Sequence, residues 1–172
     1  MAQSMLLVLD MINDLVHADG PNGGPKGYGP ELARRGTLAH AATAIAKARA
    51  AAVPVCYVRV GFSPGYPECP PRSPMFQGAK KAGLFKLGTW GTEVHPHLAA
   101  MPGDPDIVKH RVSPFYATSL EAVLRARDVR KLILLGVSTS GAVLSAAKEG
   151  HDRDYEILIV EDACCALPRS EE

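Results

Sequence analysis

Asp10, Lys109 and the run Ser138-Thr139-Ser140-Gly141-Ala142 are the residues of this chain whose types and placement could do chemistry. Asp10 closes the apolar run Met5–Asp10. Lys109 stands near the end of the short run Asp106–His110, and Ser138–Ala142 follow the apolar run Lys131–Val137. A carboxylate beside an ammonium keeps its charge, or donates a proton where burial opposes ionisation. A turn entering a helix presents unpaired backbone N–H groups, which can stabilise an oxyanion. Singly, each residue has a plainer reading: an aspartate at a strand end caps a turn, and a lysine there is solvated. Together they predict one site, provided the three runs are strands that end on the same edge.

The pattern supports that arrangement. Met5–Asp10, Val53–Val60, Asp106–His110, Lys131–Val137 and Glu156–Val160 are apolar runs that are unbroken rather than alternating, as parallel strands covered on both faces require. Helical stretches separate them: alanine-rich Thr37–Ala52, a helix opening on the capping box Thr118-Ser-Leu-Glu121 and running to about Arg127, and Gly141–Asp152. Strands alternating with helices predict a right-handed α/β fold with a parallel sheet. In such a sheet ligands bind at the carboxyl edge, where strand order reverses.

Bulk properties set limits. With 172 residues, 47% of them apolar and 22% charged, the chain fits a single domain, residues 1–172, with a full core. A net charge of +1 offers no field for nucleic acid. No apolar run reaches the ~20 residues that cross a bilayer. The start shows no basic n-region of a signal peptide. The four cysteines, Cys56, Cys69, Cys164 and Cys165, form no CxxC pair, which points to a reducing, cytoplasmic setting. Two loops stand out: His17–Pro30 with five glycines and three prolines, and Gly61–Pro74 with five prolines and two glycines. They read either as surface connections or as walls of a pocket. Neither GxGxxG nor a Walker A lysine is present, so nucleotide readings fall, and no Gly-x-Ser-x-Gly elbow offers a serine nucleophile.

An ordered set of motifs resembles the isochorismatase-like hydrolases over nearly the whole chain. The set begins with Leu7-Val-Leu-Asp10-Met-Ile-Asn-Asp14 and Gly88-Thr-Trp-Gly-Thr-Glu93. It continues through Val108-Lys109-His-Arg111-Val-Ser-Pro-Phe115, Thr118-Ser-Leu120, Gly136-Val-Ser-Thr139 and Glu161-Asp-Ala163-Cys164. The resemblance implies a three-layer α/β/α Rossmann-like sandwich with a mostly parallel sheet, strand order 3-2-1-4-5-6, and a homo-oligomer. It places Asp10 as the catalytic aspartate, Lys109 as the catalytic lysine, a cis peptide at Val137–Ser138, and the amides of Ser138 and Ala142 as an oxyanion site. Trp90, Phe115 and Thr139 are expected to contact substrate, Trp90 because packing alone does not demand its size in a Gly-Thr-Trp-Gly turn.

The chain also departs from the family. In the amidohydrolase branch the position of Ala142 holds the cysteine nucleophile, and alanine cannot attack a carbonyl. Cys56 reads as a small core hydrophobe, and Cys69 as a displaced thiol only if its loop borders the pocket. The true isochorismatases carry a small residue at this position and hydrolyse a vinyl ether by acid catalysis from the aspartate. Their substrate-binding Gln and Arg have only loose candidates here in Gln77, Arg59 and Arg72. The metal-binding members place Asp-x-His after the second strand, where this chain has Arg59-Val60-Gly61-Phe62. His95 and His97 lack a third partner, so no metal and no cofactor are expected. Family members continue through a further helix and a sixth strand that find no counterpart before Glu172, so the fifth strand is expected at a sheet edge or under a partner subunit. The expected function is a cofactor-independent hydrolase of a small-molecule substrate, with no nucleic acid or membrane partner. The alternative is a catalytically silent member that binds a small molecule.

Overall fold

The computed structural model describes residues 3–167. Strands β1 (Gln3–Leu9), β2 (Val55–Val60), β3 (Asp106–Lys109), β4 (Val129–Val137) and β5 (Glu156–Cys165) form one sheet in the order β3-β2-β1-β4-β5. Every pairing between them is parallel. The expected α/β architecture is therefore observed, with β5 at an edge.

Side-chain alternation along β1 explains the layers. Leu6 and Val8 join one core cluster, while Met5, Leu7 and Leu9 join the other. The first face is covered by α3 (Thr37–Ala50) through Ala41, Ile45 and Ala48, spaced at one helical stripe. The second is covered by α5 (Leu120–Ala126) and α6 (Leu144–Asp152) through Leu120, Leu124 and Ala146. Short helices α1 (Asn13–Val16), α2 (Gly29–Arg35) and α4 (Pro74–Lys81) lie in the connections.

Three local expectations are corrected. The capping box before α5 does not form: Thr118 Oγ1 accepts from the N–H of Leu120 at 3.2 Å, and Glu121 pairs forward with Arg125 at 2.7 Å. The sixth helix is preceded by a π-helical turn, Thr139–Val143, so the α-helix proper starts at Leu144. The fifth strand runs to Cys165 rather than Val160, with exposed Glu161 and Asp162 inside it. An edge strand needs no continuous apolar run, and its pairing with β4 shifts between Leu134 and Gly136.

Glycine is required at Gly136. Its φ is +134°, and a Cβ there would overlap the carbonyl oxygen of Leu9 on β1. Only glycine lets β4 approach β1 this closely, which sets the turn after β4 against Asp10. The loop 17–30 is built on the same device. Gly23 packs so tightly on the backbone of His17 that any Cβ would collide with it, and the Asn22 N–H donates to Asp14 O at 2.9 Å. Gly136→Ala is expected to destabilise the fold by ~2–4 kcal/mol through backbone strain and this collision. Urea denaturation of the two proteins measures it, and a loss below about 1 kcal/mol would mean that β1 and β4 can separate freely.

Candidate active site

Strand order runs outward from β1 on one side and from β4 on the other, so the reversal lies between them. A crevice opens at the carboxyl ends of such a pair. Asp10 stands directly after β1 with φ +54°, a left-handed conformation uncommon for a residue with a side chain. Its N–H donates to Val58 O at 2.8 Å, which fixes that conformation. Lys109 is the last residue of β3, opposite Val60 in the register. Since β2 lies between β1 and β3, the lysine must reach across one strand, a span its four-carbon stem can cover.

The two groups meet at 2.8 Å, Lys109 Nζ to Asp10 Oδ2, with side chains only 2% and 7% exposed. Val60 N–H donates to the other carboxylate oxygen at 2.7 Å, and Lys109 Nζ donates to Arg111 O at 3.1 Å. Two of the three ammonium hydrogens are thus used, which leaves one for a ligand. Burial raises the pKa of Asp10, and the charge of Lys109, its hydrogen bond and the Val60 N–H only partly oppose that rise.

Asp10 and Lys109 line a cavity of about 140 Å³. Ser138, Gly141 and Ala142 form its wall on the β4 side. Apolar walls come from Leu15, Phe76 and Phe85, and Tyr28 adds a phenol, whose pKa burial raises. Asp14 serves this wall indirectly: its Oδ2 accepts from the N–H of Phe85 at 2.8 Å. The Val137–Ser138 peptide is cis. The cavity can hold a few non-hydrogen atoms against an acid–ammonium pair, with no thiol beside it.

Asp10, Lys109, Ser138 and Ala142 are therefore brought together, and three other expected residues are not. Trp90 lies outside the cavity, 44% exposed, with its ring edge-on to His17 at 4.9 Å. Phe115 is in the core, stacked on Tyr155 at 6.1 Å with the Arg153 guanidinium over its ring. Thr139 faces a separate depression with Arg35 and Glu161. Gln77 donates to Pro70 O, and Arg59 binds Asp106 and Thr92 O, so both are held by structural bonds away from the pocket. Cys69 turns its sulfur to Phe76 O and the Gln77 amide and is not part of the cavity wall. Burial pushes the Cys56 thiol up to about 12 and Cys164 up to about 11, so both stay protonated at neutral pH.

Sequence reasoning missed Tyr28, Leu15, Phe76 and Phe85 as walls. One local signal was available: Ser73-Pro74 marks a helix start, which carries Phe76 inward on α4.

Comparisons with known proteins bear on the family and the fold. The family model described as the Isochorismatase domain matches residues 4–172. A ureidoacrylate amidohydrolase, RutB of Methylobacterium radiotolerans, is 32% identical over 178 residues, covering 94% of this chain and 67% of its own length. The like-named enzyme of Methylorubrum extorquens is 34% identical over 134 residues, covering 71% of this chain and 54% of its own length. The chain thus spans about half to two thirds of these relatives. Among solved structures, an isochorismatase family protein from Desulfovibrio vulgaris superposes with a TM-score of 0.84 at 27% identity, over 98% of this chain and 85% of the other. The N-carbamoylsarcosine amidase from Thermoplasma acidophilum superposes with a TM-score of 0.74 at 28% identity, over 97% and 87%.

Removing either member of the buried pair alone is expected to destabilise the protein by ~3–5 kcal/mol, because the other charge is left without a partner. The double variant Asp10→Leu/Lys109→Met is expected to lose less than the sum of the two single variants. A double-mutant cycle from urea denaturation reads the coupling, and strict additivity would refute a direct pair.

Proposed function

The chain belongs to the isochorismatase family, and from that membership we propose that it hydrolyses a small metabolite by acid catalysis from Asp10, without a nucleophile of its own. The observation behind this reading is the state of the Asp10 carboxyl. It has one backbone donor and one cation, and burial outweighs both, so its proton is held to higher pH than that of an ordinary carboxylic acid. A vinyl ether suits such a group. Asp10 gives its proton to the terminal carbon, the resulting oxocarbenium takes up water, and the hemiketal collapses to a carbonyl compound and an alcohol. The adding water returns a proton to Asp10. Lys109, through the bond it already makes to Asp10, stabilises the negative charge left on the carboxylate as its proton departs, and the turn amides of Ser138 and Ala142 hold a substrate oxygen. None of these steps needs a side chain at position 142, where Ala142 leaves room for substrate.

A second reading rests on the same alanine: a small, partly polar cavity without a nucleophile also suits a member that only binds its small molecule. The relatives' names add amide substrates to those worth testing. Wild type and Asp10→Asn are offered isochorismate, ureidoacrylate, N-carbamoylsarcosine and nicotinamide. The proposal expects vinyl-ether turnover that falls at least ~10²-fold in Asp10→Asn, the scale of a lost general acid. Because the acidic form is active and its pKa is raised, kcat/KM is highest at low pH. It falls as pH rises through that pKa, later than a carboxyl at 3.8 would allow. Turnover unchanged in Asp10→Asn would sink the acid role. Binding of the panel without turnover would favour the silent member.

Ala142→Cys supplies the group that amide hydrolysis lacks here. A thiol at this wall, beside Asp10 and Lys109, is expected to raise amide turnover at least tenfold over wild type. Assays of both proteins on ureidoacrylate and N-carbamoylsarcosine check it, and equal rates would show that the wall is wrongly placed for attack.

A further inference from the structure

A larger cavity, about 500 Å³, lies outside the Asp10 pocket and shares no lining residue with it. It opens between the glycine-rich loop, α2, the start of α3 and the turn at His95–His97. Val16, Leu32 and Leu38 make it apolar, and the imidazoles of His17, His95 and His97 are its polar side chains. Ring centroids are 5.2 Å apart for His17 and His95, and 5.1 Å for His95 and His97. Among the described residues, no lysine, arginine, aspartate or glutamate lines it.

The hydrogen bonds fix what these rings can offer. His17 Nδ1 accepts from the N–H of Asp19 at 3.1 Å, and His95 Nδ1 accepts from the N–H of His97 at 3.2 Å. A nitrogen that accepts carries no proton, so in each neutral ring the proton sits on Nε2. Both rings are therefore hydrogen-bond donors with no lone pair left for a metal. Among the described residues no group of three or more His, Cys, Asp or Glu is arranged to hold a metal ion. His95 is 93% buried by its 7% exposure, and among the described residues its Nε2 has no hydrogen-bond partner. Burial, then the neighbouring His17 and His97, lower its pKa to about 4, so it stays neutral at pH 7. Asp19, at 3.7 Å from His17, is the charged group facing this cluster from the loop. On α2, Arg34 pairs with Glu31 and Arg35 with Glu161.

We propose that this cavity is a second ligand site, for a small uncharged molecule that carries a carbonyl oxygen on an apolar body. The donors satisfy the carbonyl, and the Val16, Leu32 and Leu38 surface takes the body. A carboxylate of the same shape would be buried with no fixed cation, which is unfavourable. The walls are already built, since Gly23 and Gly29 pack against backbone where a Cβ would collide.

The test uses the isosteric probes 3-phenylpropanamide and 3-phenylpropanoate, with imidazole Cε1–H NMR signals as the readout at pH 7.5. The amide is expected to move the His17 and His95 signals with the same midpoint in wild type and in Asp10→Asn, which separates this site from the catalytic pocket. The carboxylate is expected to bind about tenfold or more weakly, a difference set by burying its charge. Ala39→Trp places an indole on the exposed first turn of α3 at the cavity mouth and is expected to weaken the amide at least tenfold, with Asp10-pocket binding intact. His17→Leu removes one donor at a half-buried position and is expected to weaken the amide while the His95 signal still shifts on its binding. Silent histidine signals at millimolar amide, equal or tighter binding of the carboxylate, or indifference to Ala39→Trp would each overturn the proposal.

Discussion

A carboxyl and an ammonium sealed from water must find each other, and in this fold the meeting of Asp10 and Lys109 constrains much of what surrounds it. Taking two such groups out of water costs several kcal/mol per ion, which only close geometry and further hydrogen bonds offset. The partners come from strands that are not neighbours, so β2 must sit between them and end at Val60, whose N–H serves the free carboxylate oxygen. The left-handed backbone at Asp10, its bond to Val58 O and the bond from Lys109 to Arg111 O belong to the same requirement. Glycine at 136 completes it, because a side chain there would push β4 and its polar turn away from the pair.

The same burial decides which chemistry the pair can support. In an exposed ion pair the lysine would dominate and the carboxyl would lose its proton readily. Here desolvation outweighs the lysine, so the acid form of Asp10 persists to higher pH. A retained proton is what acid catalysis needs. The raised pKa of Asp10 and the methyl group of Ala142 are the two features on which the proposed acid catalysis rests. The relatives named as amidohydrolases belong to the same family, and the reaction proposed for this chain does not draw on a thiol at position 142.

How much of this was legible in the sequence follows from where each residue sits. β1 and β4 are covered on both faces, so they appear as unbroken apolar runs, and their ends locate Asp10 and Ser138–Ala142 directly. Lys109 is legible for the same reason, although β3 is only four residues long. Tyr28, Phe76 and Phe85 were not, because they reach the pocket from loops and short helices that have no period to read. The helix that carries Phe76 begins at a serine cap hidden in a proline-rich stretch whose composition reads as loop. Residue type misled at Trp90 and Phe115. A large aromatic near a site in sequence can face outward, as Trp90 does toward His17, or pack behind the sheet, as Phe115 does on Tyr155. Residue type fixes neither whether a ring is buried nor what it faces; the path of the chain around it does.

The glycine-rich loop shows the same limit from the other side. Five glycines in fourteen residues look like slack, yet four of them sit where a side chain would strike backbone within the loop or in α1 just before it. Close packing of this kind makes a rigid wall out of a segment without regular structure. That wall has two faces. Tyr28 borders the Asp10 cavity, and the next residue, Gly29, borders the histidine-lined one. The two proposed ligands would thus meet one segment at adjacent residues. Coupling between sites requires such a shared element and a difference in how each ligand fits it. The loop supplies the shared element, and its tight glycine packing gives it little room to absorb a displacement locally.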